Sequence, residues 1–304
     1  MKIPDSNRSL GFETEINMIL LTGAGGQLGQ SFLAQPTAPL PLLPCTSSQL
    51  DIADARAVEA FFRAHPVRYC VNCAAYTAVD KAESEPDRAR AVNVAGVRNL
   101  AKACAARGIP LIHFSTDYVY HSRQNTPYKE TDAVHPRGVY ARTKRAGEAA
   151  ALKTHAGTMV IRTSWVYSPF GANFVKTILR YGRERPLLRV VYDQVGSPTY
   201  APDLAAAVLQ IIGQVGKGEK TAADLAGIWH YSNEGAISWY DFAQAIARGK
   251  GLSCRVEAIE SREFPTAAER PFYSVLHKGK IKAAFGLEIP YWLDSLEVCL
   301  RELA

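Results

Sequence analysis

Residues 18–33 read MILLTGAGGQLGQSFL: an apolar run, then Gly23, Gly26 and Gly29 at three-residue intervals, then an amphipathic stretch. No other segment constrains the fold as strongly. So short an apolar run reads as a buried strand, and the glycines let the backbone turn tightly and enter a helix at once. They also let the main chain approach a pyrophosphate, with the helix N-terminus facing its charge. The segment therefore predicts a strand–turn–helix unit that binds a dinucleotide. The same rhythm continues through LPLLPC (40–45), YCVNCAA (69–75), PLIHFST (110–116) and TMVIRTS (158–164). Between YCVNCAA and PLIHFST, RARAVNVAGVRNLAKACAARG sets Val94, Val97, Ala101 and Cys104 at helical spacing and stops at Gly108. Fully apolar strands alternating with helices predict an α/β fold, a Rossmann-type doubly wound parallel sheet covered on both faces.

Beyond about residue 168 the rhythm loosens. RYGRERPLLRVVYDQVGSPTYAPDLAAAV reads as helix end, strand, turn and a helix opening at Ala201-Pro202-Asp203, and GIWHYSNEGAISWYDFAQAIA as a strand and then a helix. Pro265, Pro271 and Pro290 point to a smaller, irregular C-terminal lobe for substrate. The expected division is a disordered leader at 1–17, a dinucleotide-binding domain at 18–168 and about 198–232, and a substrate lobe at about 169–197 and 233–304. The leader mixes charged and polar residues without an apolar signal core, and Met18 is a candidate natural start.

No run approaches the roughly 18 apolar residues of a membrane helix, so no membrane association is expected. The formal charge of +6 comes without a Lys/Arg block, which argues against nucleic acid and suits an anionic small substrate or a phosphorylated cofactor. Cys70 and Cys73 form a CxxC, but in an apolar run with no second CxxC or histidine pair; reduced core thiols and a cytoplasmic home are expected, and no metal.

After the second apolar run come Cys45-Thr46-Ser47-Ser48, with no acid until Asp51. Sites that prefer NAD place an acid there to hold the ribose 2′-hydroxyl. Small hydroxyl residues instead leave room for a 2′-phosphate, so NADPH is expected, with NADH possible, and Asp51 and Ile52 flank the adenine. VYARTKRAGE puts Tyr140 and Lys144 one helical turn apart on one face. A lysine cation beside a phenol favours phenolate and lowers the phenol pKa, which suits acid–base work near neutrality. With Thr116 at the end of an apolar strand, the set Thr116, Tyr140 and Lys144 reads as catalytic.

The Gly-x-x-Gly-x-x-Gly loop after Thr22, together with YxxxK, resembles the extended short-chain dehydrogenase/reductases. From Met18 onward the chain resembles, within them, the dTDP-4-dehydrorhamnose reductase family, through GAGGQLG, LDIAD, NCAAYTAVDKAE, VNVAGVRNLA, FSTDYVY, VYARTKRAGE, IRTSWVY, ANFVKTIL, VVYDQVGSPTYAPDLA, HYSNEGAISWYDFA and RPFYSVL. The related sugar-nucleotide dehydratases carry Ser-Thr-Asp-Glu where this chain has Ser115-Thr116-Asp117-Tyr118, so their elimination acid pair is incomplete here. The resemblance implies reduction of a nucleotide-sugar 4-ketone, with Thr116 polarising the carbonyl, Tyr140 donating the proton and Lys144 tuning Tyr140 and holding the nicotinamide ribose. It implies Gly23, Gly26, Gln27, Leu28 and Gly29 at the pyrophosphate, and Ala74, Ala75, Tyr76 and Thr77 along the ribose–nicotinamide path. Asp117, Tyr118 and Trp165 would meet the sugar, Asn173 and Arg270 the diphosphate, and Asn93 would support the active-site helix. Structural roles stay open for Asp117, Trp165 and Arg270. Ala141, Tyr120, His277 and Gly279 depart from the family pattern. Some members form a dimer around magnesium near GSPTYAPDLA; only Asp203 stands there, so that metal and that dimer are not expected, and the chain is a monomer or homodimer. Two alternatives stay open: another nucleotide-sugar 4-ketoreductase or epimerase, and a non-catalytic NADP-binding regulatory homologue like the methionine adenosyltransferase beta subunit.

Overall fold

The structure, a computed structural model, describes residues 17–303. All of the expected leader except Asn17 lies outside the described residues. In chain order come β1 (Met18–Thr22), α1 (Gln27–Leu33), β2 (Leu42–Cys45), α2 (Ala55–Ala64), β3 (Val67–Asn72), α3 (Val79–Ala82), α4 (Pro86–Arg90), α5 (Val97–Arg107), β4 (Leu111–Thr116), α6 (Gly138–Thr154) and β5 (Thr158–Thr163). Then follow β6 (Val166–Tyr167), α7 (Phe174–Glu184), β7 (Leu187–Val191), β8 (Val195–Gly196), β9 (Thr199–Tyr200), α8 (Ala201–Gly216), β10 (Gly227–His230), β11 (Ile237–Ser238), α9 (Trp239–Gly249), β12 (Arg255–Ile259), α10 (Gly279–Phe285) and α11 (Trp292–Glu302). Local chemistry sets several of these ends. Asp54 caps α2 by accepting from the amides of Arg56 and Ala57 at 2.8 and 3.1 Å, and Ser238 and Asp241 close a capping box at the start of α9.

Six parallel strands form the main sheet in the order β10-β5-β4-β3-β1-β2, as the apolar runs predict. Successive side chains face opposite sides, so both faces bury apolar groups. Ile19, Leu21, Val71, Ile112 and Ile161 pack under α1 and α8 through Phe32, Leu204 and Val208. Leu20, Cys70 and Leu111 face α2 and α5 through Val58, Phe62 and Leu100. All six cysteines are free, and all but Cys73 are buried.

Two expectations need correction. The helical stretch before Gly108 is interrupted, because Ala91–Gly96 forms a π-helical turn between α4 and α5. That turn places buried Asn93 to bond the loop after β3 and helix α6 (below). The lobe boundary also shifts: Ile281, Phe285, Leu287 and Ile289, expected in the substrate lobe, belong to the core of the parallel sheet. The physical reason is the sheet edge. β10 is an outer strand, and α10 covers it, with Phe285 against Trp229 at 5.0 Å between ring centroids.

The smaller core gathers α7, α9 and α11 around the parallel pair β7–β12, and it is rich in aromatic rings: Tyr167, Tyr200, Phe242 and Trp292. No helix among the described residues is long and apolar enough to cross a membrane.

Candidate active site

The sheet order reverses at β1, which has β2 on one side and β3 on the other; in such sheets ligands bind in the crevice beyond the strands' carboxyl ends. Thr22, last in β1, lies in register with Asn72 and donates to its Oδ1 at 2.7 Å, and the same oxygen accepts the Ala74 amide at 3.1 Å. This ties the glycine turn to the loop after β3. Gly23 has φ +66°, and a Cβ there would lie 2.5 Å from the Ala74 nitrogen; one on Gly29 would collide with the Gly23 carbonyl. Gly26 caps α1 without a side-chain cap bond, and the Gln30 side-chain amide donates to the Gly25 carbonyl at 2.8 Å. Gln27 is held by Ser168 and Asn173, which donate to its Oε1 at 3.1 and 2.9 Å, while Leu28 packs into the sheet core. Asp51 is exposed and accepts from the Ala53 amide, and Ile52 is buried. Ala74, Ala75 and Tyr76 are half-buried and Thr77 is exposed; the Tyr76 amide donates to Asn93 Oδ1 at 2.9 Å. Asn93 in turn donates to Tyr76 O and to Thr143 Oγ1 on α6, the support for that helix the resemblance implied.

Thr116 ends β4, and its hydroxyl donates to Asp117 Oδ1 at 3.1 Å while accepting the Tyr118 amide at 3.2 Å. Tyr140 comes from the first turn of α6, with the Tyr118 ring edge-on at 5.8 Å. Lys144, one turn further and 2% exposed, donates from Nζ to the Phe114 carbonyl at 2.7 Å. Burial pushes the Lys144 ammonium down to about 8, opposed by Glu148 and Cys73. Burial pushes the Tyr140 phenol up to about 12; the Thr116 hydroxyl opposes this and the Asp117 carboxylate adds to it. Asp117, 2% exposed with Oδ2 unpartnered, is raised by burial to about 6, offset by Ser274 and Thr116. Lys144 is not among the groups that shift Tyr140 in this structure. The ammonium is spent on a carbonyl, and desolvation decides the phenol, which holds its proton at neutral pH.

Beneath this cluster lies a pair that sequence reasoning missed. Glu148 and Arg162, 0% and 1% exposed, make a bidentate contact at 2.9 and 2.7 Å, and Ser115 donates to Glu148 Oε1 at 2.5 Å. The Tyr120 hydroxyl completes it, accepting from Arg162 Nη1, donating to Lys129 O at 3.0 Å and meeting His230 Nε2 at 2.9 Å. The extra hydroxyl of Tyr120 thus finds partners, and burial with Arg162 nearby pushes His230 down to about 3, so it stays neutral. The pair fastens α6 to β4 and β5. Its only sequence signal is a Glu one turn beyond Lys144.

On the lobe side, Trp165 adopts φ 47°, a conformation that bulky residues rarely hold. Its ring stacks on Trp239 at 3.6 Å and lies over Gly196, where a Cβ would come 2.6 Å from it. Asn173 departs from expectation. It caps α7 by accepting the Lys176 amide, and its amide group donates to Gln27, Ser168 O and Phe170 O, so it braces Gln27 and has no free donor for a diphosphate. Arg270 bonds Asp80 at 3.1 and 2.6 Å and faces the Tyr118 hydroxyl. It also lines a cavity of about 790 Å³ with Phe174, Tyr181, Arg185, Arg189 and Trp239. Thr116, Tyr140 and Lys144 thus gather where β4 meets α6, and Arg270 links them to the lobe cavity.

The family model described as RmlD substrate binding domain matches residues 17–304. The chain belongs to the RmlD family. It is 40% identical over 287 residues to the dTDP-4-dehydrorhamnose reductase of Aggregatibacter actinomycetemcomitans, covering 92% of this chain and 97% of that protein. With the Escherichia coli K12 protein of the same name it shares 38% over 296 residues, 94% and 97% of the two chains. Among solved structures, Bacillus anthracis dTDP-4-dehydrorhamnose reductase in complex with NADP superposes with a TM-score of 0.88 at 35% identity, covering 94% of this chain and 99% of that one. A dTDP-glucose 4,6-dehydratase of Streptomyces venezuelae, at 19% identity and a TM-score of 0.77, shares the fold. In this RmlD-family chain Thr116 ends β4, and Tyr140 and Lys144 lie in the first two turns of α6.

Proposed function

We propose that this chain reduces the C4 ketone of dTDP-4-dehydro-β-L-rhamnose with NADPH, giving dTDP-β-L-rhamnose, the last step in making that nucleotide sugar. The observation that carries the reading is the meeting of Thr116, Tyr140 and Lys144 at the mouth of the parallel sheet, in a chain about 40% identical to reductases of that name. The glycine turn fits a dinucleotide: it has no side chain at Gly23 or Gly29 and space for none. In this reading Gly23, Gly26, Gln27, Leu28 and Gly29 hold the pyrophosphate, Asp51 and Ile52 flank the adenine, and Ala74 to Thr77 line the ribose–nicotinamide path. Thr46 bonds Ser48 Oγ and Gln49 Oε1, both at 2.9 Å, so the second strand ends in hydroxyls and an amide with room for a 2′-phosphate, which supports NADPH over NADH.

When bound, the reduced nicotinamide supplies the hydride that C4 receives. Tyr140 gives its phenolic proton to O4, and the Thr116 hydroxyl hydrogen-bonds the same oxygen. A phenol held near 12 suits this direction: it keeps its proton until a sugar alkoxide, a stronger base than phenolate, develops beside it. Lys144, one turn away, then faces the phenolate and favours its charge. Tyr118 stands where an elimination enzyme needs an acid, which favours reduction over loss of water. Asp117, Tyr118, Trp165 and Arg270 border the sugar and diphosphate, and the lobe cavity takes the nucleotide. A cytoplasmic location is part of the reading.

The test follows nicotinamide absorbance with freshly prepared dTDP-4-dehydro-L-rhamnose, NADPH and NADH in parallel, and identifies the product. Oxidation of NADPH yielding dTDP-L-rhamnose is expected. Tight NADPH binding without oxidation would overturn the reading.

A further inference from the structure

Between the lobe and the sheet runs a segment without regular structure, residues 264–272, and its anchors are electrostatic. Asp80, on the short helix α3, accepts from Arg270 at 3.1 and 2.6 Å and from the Ala268 amide at 3.0 Å. Next to it Glu269 takes Arg137 at 2.6 Å and His121 at 3.1 Å, both from the sheet side. Helix α3 has a second grip. Glu83, one turn after Asp80, accepts the Val139 amide at 2.6 Å, in the first turn of α6 and beside Tyr140. A Cβ on Gly138 would meet both Glu83 and Ala268, so the three pieces touch at one point. Arg270 turns its remaining face to the Tyr118 hydroxyl, and the Tyr118 ring stands edge-on to Tyr140.

We propose that Asp80 is a positioning residue for the reaction: by holding Arg270 and the 264–272 segment against the start of α6, it sets the lobe's substrate contacts in register with Tyr140. The sequence gives no hint of this, since Asp80 and Arg270 stand 190 positions apart. Chemically the arrangement is specific. A bidentate carboxylate–guanidinium pair fixes direction as well as distance, and its Oδ1 also takes a backbone amide of the same segment, so one side chain locks both the arginine and the loop that carries it. Asp80 is half-exposed and touches none of the catalytic groups, so its effect is on placement.

The inference rests on the reading that this site takes a nucleotide sugar, and the test separates the two. In Asp80→Asn, hydrogen exchange at the Ala268 amide rises about tenfold, since that amide loses its charged acceptor. KM for the keto sugar, and the dissociation constant of dTDP, rise roughly two- to fivefold, within the range for a half-exposed ion pair. NADPH binding and the melting temperature stay near wild type, and Asp80→Glu recovers most of the loss. Exchange at Ala268 unchanged in Asp80→Asn would overturn the inference, whatever the wild-type chain reduces. So would NADPH binding that weakens as much as dTDP binding, which marks a general structural role. Failure of the wild type to reduce the keto sugar would sink the functional reading alone, because the exchange result does not depend on substrate.

Discussion

The parallel sheet and the C-terminal lobe solve the same problem, burying apolar surface beside a ligand cleft, by different means. In the sheet, Ile19, Leu20, Leu21, Val71, Ile112 and Ile161 are fully buried, in strands whose neighbours are nearly all other strands and flanking helices. The lobe side has only two-stranded pairs, β7–β12, β8–β11 and β6–β9, and closes its core with rings: Tyr167 against Tyr200 and Phe242, Phe242 against Trp292, Trp239 against Trp165. It also leaves a cavity of about 790 Å³ next to that core. A hydrogen-bonded sheet resists displacement of any one strand, which suits groups that must hold fixed angles, such as Thr116 at the end of β4 and the Phe114 carbonyl that takes Lys144 from α6. Aromatic packing and salt-bridged loops set shape with fewer backbone constraints, which suits a surface that accommodates a substrate. In the proposed reading, this difference matches a division in which one half carries the chemistry and the other the recognition.

The strongest way to test that division is at the sheet. Removing one oxygen in Tyr140→Phe takes away the proton donor and leaves the fold intact; turnover falls by about 10²- to 10⁴-fold. NADPH affinity stays near wild type, measured by fluorescence titration. Near wild-type turnover would remove Tyr140 from the mechanism. Next in size is a pair of cavity mutants. Ile112→Ala in β4 and Ile246→Ala in α9 each empty a fully buried site and each cost about 2–5 kcal/mol by thermal or urea unfolding. Their functional signatures differ: the first weakens NADPH binding, and the second raises KM for the nucleotide sugar with NADPH binding unchanged. Identical signatures would show that the two halves do not divide the work.

The contrast also explains what the sequence could reveal. Strands β1, β3, β4 and β5 were legible because burial on both faces makes each a continuous apolar run between turns. The Thr116–Tyr140–Lys144 set was legible because its spacing follows from one helix and one strand end. What escaped depends on contacts between distant elements. Arg162 sits in an otherwise apolar run and finds Glu148 on another element; Trp165 takes its unusual backbone angle under a stack with Trp239; the π-helical turn at Ala91–Gly96 turns Asn93 toward α6. Asn173 carried a plausible substrate role, yet its amide is used up by Gln27 and a helix cap, which only the assembled fold reveals.

The smallest predicted effect lies where the sheet meets the lobe. Asp117 is buried with one oxygen unpartnered, and its folded-state pKa, about 6, stands above the ordinary value of 3.8. Between those values the folded chain keeps a proton that the unfolded chain has lost, so stability falls as pH rises through this window and levels off above about 6. The shift of about two units corresponds to a penalty of roughly 3 kcal/mol at most. Asp117→Asn removes the charge and keeps the shape, so its melting temperature should exceed wild type at pH 7.5 and converge on it near pH 4. Activity should fall as stability rises, because the carboxylate that costs stability accepts from Thr116 and helps keep Tyr140 protonated. No gain at neutral pH would mean that water or Ser274 already satisfies the carboxylate. A gain with full activity would assign Asp117 to the loop alone, and move the functional edge of the sheet back to Thr116.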